Sequence, residues 1–339
     1  MDADRYPLDL DQNYSYEYSA NETSNACELG DYLVFYSHLA TVLYTLAFLL
    51  SLLGNTLVLW ILLRYESLTS LTNVFLLNLC VSDLVFSCML PFLAVDQSFG
   101  WVFGEFLCKA VNALFSIGYY SGVFFLTFMT ILRYLSVVNP LSTLRSQTRC
   151  RALLLSLAVW TGSILIVVPE VIQTTVQESL EGSNTCDYAE WKWKKVDSYQ
   201  RNVLFLLSFG VIVFCYIKIL LILLKARSRR KHRTVKLILI IVVAFFLSWA
   251  PYNILSFLIT FPAPNCQYQK DSSLAFDISR KIAFSHCCLN PVLYMFVGVK
   301  FKRHLLRLRS QCLPCGHGQV SSPRVSSQGK FHHEAASIY

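Results

Sequence analysis

The stretch LATVLYTLAFLLSLLGNTLVLWIL, residues 39–62, decides how the rest of the chain is interpreted. It contains no Asp, Glu, Lys or Arg. An α-helix rises about 1.5 Å per residue and the hydrocarbon core of a bilayer is about 30 Å thick, so about 20 apolar residues are enough to cross it. The stretch therefore predicts a membrane-spanning helix.

The composition of the whole chain agrees with a lipid environment. Of its 339 residues, 55% are hydrophobic and only 15% are charged, against about 25% in an average soluble domain. The length alone suggests two soluble domains of about 150 residues each, but there are too few charges to cover them. The same apolar excess argues against a disordered chain and against a nucleic-acid-binding domain.

Further apolar stretches follow at regular intervals along the chain. The last of them is interrupted by Arg280, Lys281 and His286. We predict an all-α membrane protein: a bundle of seven transmembrane helices over residues 36–298, followed by a short amphipathic helix at 299–311. The seven spans lie at about residues 36–64, 70–95, 105–138, 150–171, 200–225, 234–261 and 273–298.

The charges place the two ends of the chain on opposite sides of the membrane. Residues 1–35 have a net charge of −7, whereas the segment 225–236 has seven bases and no acid. Because Lys and Arg concentrate in short cytoplasmic loops, we predict an acidic extracellular tail at 1–35 and a cytoplasmic tail at 312–339. Glycosylation sequons at Asn13 and Asn21 agree with this orientation. The formal net charge of +8 is then the sum of an acidic tail and a remainder of +15.

Four of the twelve cysteines fall on the predicted outer side, where disulfide bonds persist. Four cysteines allow three pairings. If cysteines that adjoin neighbouring spans pair with each other, the bonds are Cys108–Cys186 and Cys27–Cys266. Each bond would close a long loop and so would contribute a few kcal/mol to stability.

A further pair, Cys312 and Cys315, has CxxC spacing in the predicted cytoplasmic tail. A zinc site needs four ligands, and the remaining ligands would have to come from histidines in the same tail. The position just past a basic amphipathic segment next to the membrane favours lipidation of the two thiols. A role in neither lipidation nor metal binding stays open.

Polar residues inside the spans are costly in lipid and therefore indicate the interior of the bundle. Asp83 lies in the middle of the second span, at a depth similar to that of Asn55 and Asn290, and either amide is a potential partner. Two interpretations stay open: a buried polar group that helps the helices pack, or a switch surrounded by water or sodium. Pro251 and Pro291 each remove one helical hydrogen bond, which predicts kinks in the sixth and seventh helices.

Several motifs, in their order along the chain, resemble those of the rhodopsin-like G-protein-coupled receptors. They are Gly54-Asn55, the segment from Leu79 to Asp83, Cys108 with Cys186, Arg133-Tyr134, Trp160, Trp249-Ala250-Pro251 and the segment from Asn290 to Tyr294. Narrower features resemble the chemokine receptors, namely the second outer cysteine pair, the sequence WVFG at 101–104 and the sequence AFSHCCLNP at 283–291. The segments 65–68, 133–138, 140–145 and 230–236 resemble the XC branch of that family.

The resemblance implies a function without catalysis. A receptor of this kind lies in the plasma membrane, binds a small basic chemokine, in the XC branch lymphotactin, and signals through a heterotrimeric G protein of the inhibitory class. Calcium release and chemotaxis follow, and a receptor kinase and arrestin end the response. Neither a catalytic residue nor a structural metal nor a nucleic acid partner is expected. The resemblance implies a sodium ion near Asp83, although Gly122 and His286 depart from the usual sodium site.

The same resemblance assigns roles to individual residues. It implies activation and G-protein coupling through Asp83, Arg133, Tyr134, Tyr216, Trp249, Pro251, Asn290, Pro291 and Tyr294. It implies ligand contacts from the acidic tail, where Tyr14, Tyr16 and Tyr18 are candidates for sulfation, and from the outer halves of the spans. The contacts predicted in the spans and loops are Tyr44, Asp96, Tyr119, Asp187, Tyr252, Asp277 and Arg280.

Arg280 stands where most chemokine receptors have a glutamate that faces the ligand. We expect its guanidinium to repel a cationic group of the ligand and to favour an anionic or carbonyl-rich group, which is a way to set specificity by charge. The alternative is an internal ion pair with Asp277, three residues earlier on the same helix.

Two other functions compete with a signalling receptor. Leu132 replaces the acid that normally precedes the Arg-Tyr pair of the family, which favours a scavenging receptor that binds and internalises ligand without a G-protein signal. The retained Arg133, Tyr216 and Asn290-to-Tyr294 segment favour signalling. A membrane enzyme or transporter is disfavoured because the sequence has neither a nucleophile or metal-binding constellation nor an internal repeat of hydropathy.

Overall fold

The computed structural model of the protein describes residues 30–68, 70–139, 149–178, 184–225, 229–262 and 266–297. Within these ranges the chain forms nine α-helices and one two-stranded antiparallel hairpin. The elements are α1 Gly30–Tyr65, α2 Leu71–Ser87, α3 Leu90–Phe99, α4 Gly104–Val138, α5 Arg149–Gln173, β1 Thr174–Glu178, β2 Asn184–Tyr188, α6 Trp191–Lys225, α7 Arg229–Leu258, α8 Cys266–Phe284 and α9 His286–Val297.

The helices combine into the predicted seven segments. α2 and α3 form the second segment and α8 and α9 the seventh, and each of the other five segments is a single helix. Six of the seven are long and apolar enough to cross a membrane by length and composition alone. The seventh is not among them, since α8 contains Asp277, Arg280 and Lys281.

Apolar side chains cover the outside of this bundle, as a lipid-facing surface requires. Leu53 and Leu247 are each 69% exposed and Leu165 is 66% exposed, which in water would be unfavourable but in lipid is not. The polar residues of the spans are turned inward instead, and Asp83 and Asn290 are 2% and 4% exposed. The sequence-based prediction of a seven-helix membrane bundle is confirmed.

Two segments begin well before their predicted starts: the seventh begins at Cys266 rather than near residue 273, and the fifth also begins early. The fifth segment, α6, begins at Trp191 rather than near residue 200. Its first two turns are rich in lysine, so their hydropathy is too low to predict a membrane span. Lys194 and Lys195 lie over the Trp191 ring at 5.4 and 6.0 Å from its centroid, an arrangement that suits the edge of a membrane. The loop before this segment contains the β1–β2 hairpin, in which Val176 is paired with Cys186.

The seventh segment is packed against the first through a proline. Pro291 has no backbone N–H, so the carbonyl of Cys287, four residues earlier, lacks its helical donor. The Asn55 side-chain amide donates to this carbonyl at 2.9 Å. A Cβ on the neighbouring Gly54 would lie 2.7 Å from the Pro291 Cβ. The sequence Gly54-Asn55 therefore allows the two helices to approach and satisfies the carbonyl that the proline frees.

A second close approach joins the second and third segments. Gly118 on α4 lies against Phe86 on α2, and a Cβ at position 118 would come within 2.8 Å of the Phe86 Cα and 2.9 Å of its backbone nitrogen. Phe86 is fully buried, and its ring lies edge-on to Trp249 at 5.8 Å and to His286 at 4.9 Å between centroids. The glycine thus sets the position of an aromatic ring at the centre of the bundle.

We predict that Gly118→Ala destabilises the bundle by about 1–3 kcal/mol, since the added methyl group would press on the Phe86 backbone, which cannot move as a side chain can. Gly122→Ala, one turn further along α4, is the matched control, because a Cβ at Gly122 meets no atom within 4 Å. Thermal unfolding of the detergent-solubilised protein measures the difference. Equal melting temperatures for the two variants would contradict the role given to Gly118.

Candidate functional site

A cavity of about 250 Å³ lies between the helices and the hairpin. It is at the end of the bundle where α1 begins, which we call the outer end in keeping with the predicted orientation. Its walls come from α3 to α8, from β2 and from the residues that flank these elements, and they carry charged side chains as well as aromatic rings. The charged residues that line it are Asp96, Glu170, Asp187, Lys194, Asp197, Arg201 and Arg280.

The hairpin covers this cavity because several bonds attach it to α4. Cys108 and Cys186 form a disulfide with their Cα atoms 5.6 Å apart, which confirms the first predicted pairing. The Glu105 carboxylate accepts hydrogen bonds from the Val176 backbone at 2.8 Å and from the Thr175 hydroxyl at 3.1 Å. Strand β2 therefore presents Cys186 and its two successors to the cavity as a fixed edge.

The predicted ligand contacts divide into three groups. Asp96, Asp187, Tyr252 and Arg280 line the cavity. The structure places three others elsewhere: Tyr44 and Tyr119 are 2% and 1% exposed in the core, and Asp277 lies beside Arg280 without lining the cavity. The tail tyrosines Tyr14, Tyr16 and Tyr18 lie outside the described residues.

Arg280 has the internal partner that the sequence left as an alternative. Its guanidinium donates to the Asp277 carboxylate at 2.7 Å, and Lys281 forms a second ion pair with the same carboxylate. Arg280 nevertheless lines the cavity, and its Nε has no hydrogen-bond partner among the described residues. The ion pair with Asp277 therefore positions Arg280 at the wall of the cavity.

Sequence reasoning missed the most deeply buried charged residues of the cavity, Glu170, Asp197 and Arg201. Arg201 is 4% exposed, and its guanidinium pairs with Asp197 at 2.6 Å and donates to the Tyr252 hydroxyl at 2.7 Å. The guanidinium also lies 4.8 Å from the Phe115 ring centroid, a favourable position for a cation. The i, i+4 spacing of Asp197 and Arg201 would have predicted the pair, had the fifth span been extended towards Trp191.

The floor of the cavity is aromatic and is continuous with the middle of the bundle. Trp249 is fully buried, and its ring centroid lies 4.4 Å from that of Tyr119, 5.6 Å from that of Tyr252 and 5.0 Å from that of His286. Tyr252 is at the same time a wall of the cavity and the acceptor for Arg201. Rings in contact thus connect the cavity to His286.

Below this floor lies the polar group predicted around Asp83. The Asn290 amide donates to the Asp83 carboxylate at 2.8 Å, while Asn55 bonds to the backbone of α9 instead. His286 Nδ1 donates to the Ala283 carbonyl at 2.8 Å and its Nε2 lies 3.6 Å from the Asp83 carboxylate. The predicted partnership of Asp83 with Asn290 is therefore present, and Asp83 joins the second segment to the seventh.

The groups around Asp83 do not fit the sodium ion that the family resemblance implies. Sodium is a hard cation and takes several oxygen ligands, as calcium and magnesium do. The Asp83 carboxylate faces two nitrogen atoms, those of Asn290 and His286, and Gly122 brings no side-chain oxygen. No step of the mechanism is assigned to an ion at this position.

The residues predicted for G-protein coupling lie at the opposite, inner end. Tyr216 on α6 is 6% exposed, and the Tyr134 ring on α4 lies 6.3 Å from the Phe214 ring on α6. Arg133, which directly precedes Tyr134, is half-buried and has an interaction partner. Their roles stay predictions. Several predictions fall outside the described residues. They concern Asn13, Asn21, Cys27 with its predicted disulfide to Cys266, Cys312, Cys315 and the Tyr294 side chain.

The fold and the site define a class of protein: a seven-helix membrane receptor with a covered outer cavity. Residues 54–294 match the family model of the 7 transmembrane receptors of the rhodopsin family. Human Chemokine XC receptor 1 is 52% identical over 323 residues, which cover 93% of this chain and 95% of the human protein. The mouse Chemokine XC receptor 1 is 49% identical, with 96% and 98% covered, and human CX3C chemokine receptor 1 is 35% identical, with 97% and 94% covered.

The chain therefore belongs to the rhodopsin family of G-protein-coupled receptors and, within it, to the chemokine receptors. This family consists of receptors and not of enzymes, in agreement with the sequence-based prediction. It also places the protein in a membrane, which it crosses several times.

We predict that Asp197→Asn lowers stability by about 3–5 kcal/mol, because it removes the carboxylate that is bonded directly to the buried Arg201 guanidinium. Asp187→Asn is the matched control. Asp187 pairs with Lys194 at the same distance of 2.6 Å, but these two side chains are 41% and 37% exposed, so the pair contributes only about 0–1 kcal/mol. Thermal unfolding in detergent compares the variants. A smaller loss for Asp197→Asn than for Asp187→Asn would contradict the importance given to the buried pair.

Proposed function

We propose that the protein is a plasma-membrane receptor for a chemokine of the XC class, lymphotactin, and signals through an inhibitory G protein with calcium release and chemotaxis. The observation that carries the proposal is the identity of 52% and 49% to two receptors named for XC chemokines, over more than nine tenths of the chain. The charged outer cavity supports this proposal, because the end of a protein ligand has polar backbone groups and charges that the charged side chains of the cavity can bind.

The first step of binding would use the acidic tail. Residues 1–35 carry a net charge of −7, and with the tail outside the cell this charge attracts a basic protein over about one Debye length, roughly 8 Å at physiological ionic strength. Such an attraction raises the association rate more than the final affinity. Sulfation of Tyr14, Tyr16 or Tyr18 would add acceptor oxygens for arginine side chains of the ligand.

The second step would insert the end of the ligand into the cavity and change the floor beneath it. A group that displaces the Tyr252 hydroxyl from Arg201 also moves a ring that contacts Trp249. Trp249 contacts His286, which faces Asp83. Movement along this chain would reach the kinked sixth and seventh segments and open a cleft at the inner end for a G-protein helix. A receptor kinase and arrestin would then act on the cytoplasmic tail.

The alternative is a scavenging receptor, and the observation in its favour is Leu132. Leu132 stands directly before Arg133, where most receptors of the family have an acid. Calcium release measured beside ligand uptake separates the two functions. Uptake of lymphotactin without calcium release or inhibition of cAMP synthesis would establish the scavenger and overturn the signalling proposal.

We predict that Arg280→Glu lowers the potency of lymphotactin at least about 10-fold and changes the ranking within a panel of chemokines, because it inverts the charge of one cavity wall. Lys194→Glu is the matched control, since Lys194 also lines the cavity but is half-exposed at its rim. Calcium release in transfected cells measures both. Unchanged selectivity in Arg280→Glu would contradict the role of Arg280 in ligand choice.

We predict that Leu132→Asp lowers basal signalling, because the new carboxylate would hold the Arg133 guanidinium in the inactive arrangement. Leu135→Asp adds the same charge three residues further along α4 on a side chain that is 39% exposed, and it serves as the control. Basal cAMP in cells treated with forskolin is the measurement. If Leu132→Asp and the wild type give the same basal cAMP, the arginine is not restrained in this way.

A further inference from the structure

The two strands of the β1–β2 hairpin are attached to the bundle by different bonds. At the open end of the hairpin the neighbouring helices fix both strands, because β1 follows α5 directly and α6 begins three residues after β2. Nearer to the turn, β2 is held at two points. Cys186 is in the disulfide with Cys108 of α4, and the Asn184 carbonyl accepts a hydrogen bond at 2.7 Å from the Trp101 backbone N–H. Both of these attachments lie on β2, so they do not by themselves prevent the ribbon from rolling about the axis of this strand.

Glu105, in the first turn of α4, supplies an attachment for β1. Its Oε2 atom accepts the hydrogen bonds from the Val176 backbone and the Thr175 hydroxyl, and its Oε1 atom pairs with Lys109 at 3.2 Å. Val176 is directly opposite Cys186 in the register of the hairpin. Because the Val176 N–H is bonded to α4, it faces the outer edge of β1 and not the partner strand. The carboxylate and the disulfide therefore hold the two strands at the same level of the ladder.

The roll of the hairpin determines which side chains β2 presents to the cavity. Asp187 and Tyr188 line the cavity, and Asp187 is also bonded to Lys194 of α6 at 2.6 Å. Successive side chains of a strand point to opposite faces, so a roll of the ribbon would displace these side chains in different directions and disturb the pair with Lys194. A ligand held beneath the hairpin would then lose contacts with this part of the wall.

We propose that Glu105 is a positioning residue for ligand retention: through Val176 and Thr175 it fixes the roll of the hairpin that covers the cavity, and it thereby slows the dissociation of the bound ligand. Glu105 is not among the residues that line the cavity, so it acts through the hairpin and not by contact with the inserted end of the ligand. This inference rests on the proposed function. It assigns to Glu105 an effect on the dissociation rate, whereas the charge of the acidic tail acts on the association rate.

The first test needs no ligand. Hydrogen–deuterium exchange of the full-length receptor in detergent, followed by mass spectrometry on peptides that cover residues 174–177, reports on the protection of the Val176 N–H. In Glu105→Ala this N–H loses its acceptor, and we expect it to exchange at least about 10-fold faster. Glu178→Ala removes a carboxylate from an exposed position on the same strand and should leave the exchange of Val176 unchanged. Equal exchange in the wild type and Glu105→Ala overturns the inference.

The second test measures the association and dissociation rates of labelled lymphotactin on cells that express each variant. We expect Glu105→Ala to raise the dissociation rate by about 3- to 10-fold. Glu105→Gln keeps a carbonyl oxygen that can accept from the Val176 N–H, so its dissociation rate should lie closer to that of the wild type. Both variants lose the same charge, so any electrostatic attraction between Glu105 and a basic ligand changes their association rates equally. The difference between them isolates the hydrogen bonds to the hairpin.

Thr175→Val provides a milder form of the same test and leaves the charge of Glu105 in place. It removes the hydroxyl that donates to Glu105 at 3.1 Å and keeps the bond from the Val176 backbone. We expect the dissociation rate to rise by about 2- to 3-fold, with an unchanged association rate. This variant replaces Glu105→Ala if the latter does not reach the cell surface.

The outcomes separate this inference from the function on which it rests. A wild-type receptor at the cell surface that does not bind lymphotactin overturns the proposed function, and with it the retention of this ligand. A wild-type receptor that binds, with the same dissociation rate in Glu105→Ala, overturns only the role of Glu105. A change confined to the association rate, equal in Glu105→Ala and Glu105→Gln, overturns that role as well, because Glu105 then attracts the ligand by its charge and does not position the hairpin.

Discussion

The structure depends on one constraint: the solvent for most of its surface is lipid, so charged groups in the helices must face inward and find partners there. In the middle of the bundle this produces the bond between Asp83 and Asn290, which joins the second and seventh segments. At the outer end it produces the pair of Arg201 with Asp197 and the group around Arg280. The charged side chains that face inward at the outer end of the bundle therefore also line the binding cavity.

The aromatic layer between these two polar regions explains how they can influence each other. Trp249 contacts a cavity wall through Tyr252 and the Asp83 region through His286. Phe86 packs against both Trp249 and His286, and Gly118 allows it to do so. Because close-packed interiors have low compressibility and transmit strain, a change in the cavity is more readily transmitted along this layer than absorbed by it.

The sequence predicts the fold well and the cavity only in part, for physical reasons. Hydropathy locates the spans because lipid imposes a strong apolar bias, and an acid in an apolar span, such as Asp83, is visible at once. Hydropathy fails at the membrane edge, where the helix that begins at Trp191 is rich in lysine. The predicted span therefore starts too late to include Asp197 and to pair it with Arg201. Glu170 lies at the outer end of the predicted fourth span, but nothing in a single sequence shows that α5 and α6 bring it beside Asp197 and Arg201. Contacts between segments follow from packing and not from local pattern.

The central claim is that the outer cavity, covered by the β1–β2 hairpin, receives the amino-terminal end of the ligand. Photo-crosslinking tests this directly: lymphotactin with a photoreactive group at its amino terminus is bound to the full-length receptor, irradiated, and the attachment site is mapped by mass spectrometry. We expect attachment to residues that line the cavity in α3 to α8 and β2. Attachment confined to residues 1–29, with none in the cavity lining, would contradict the account.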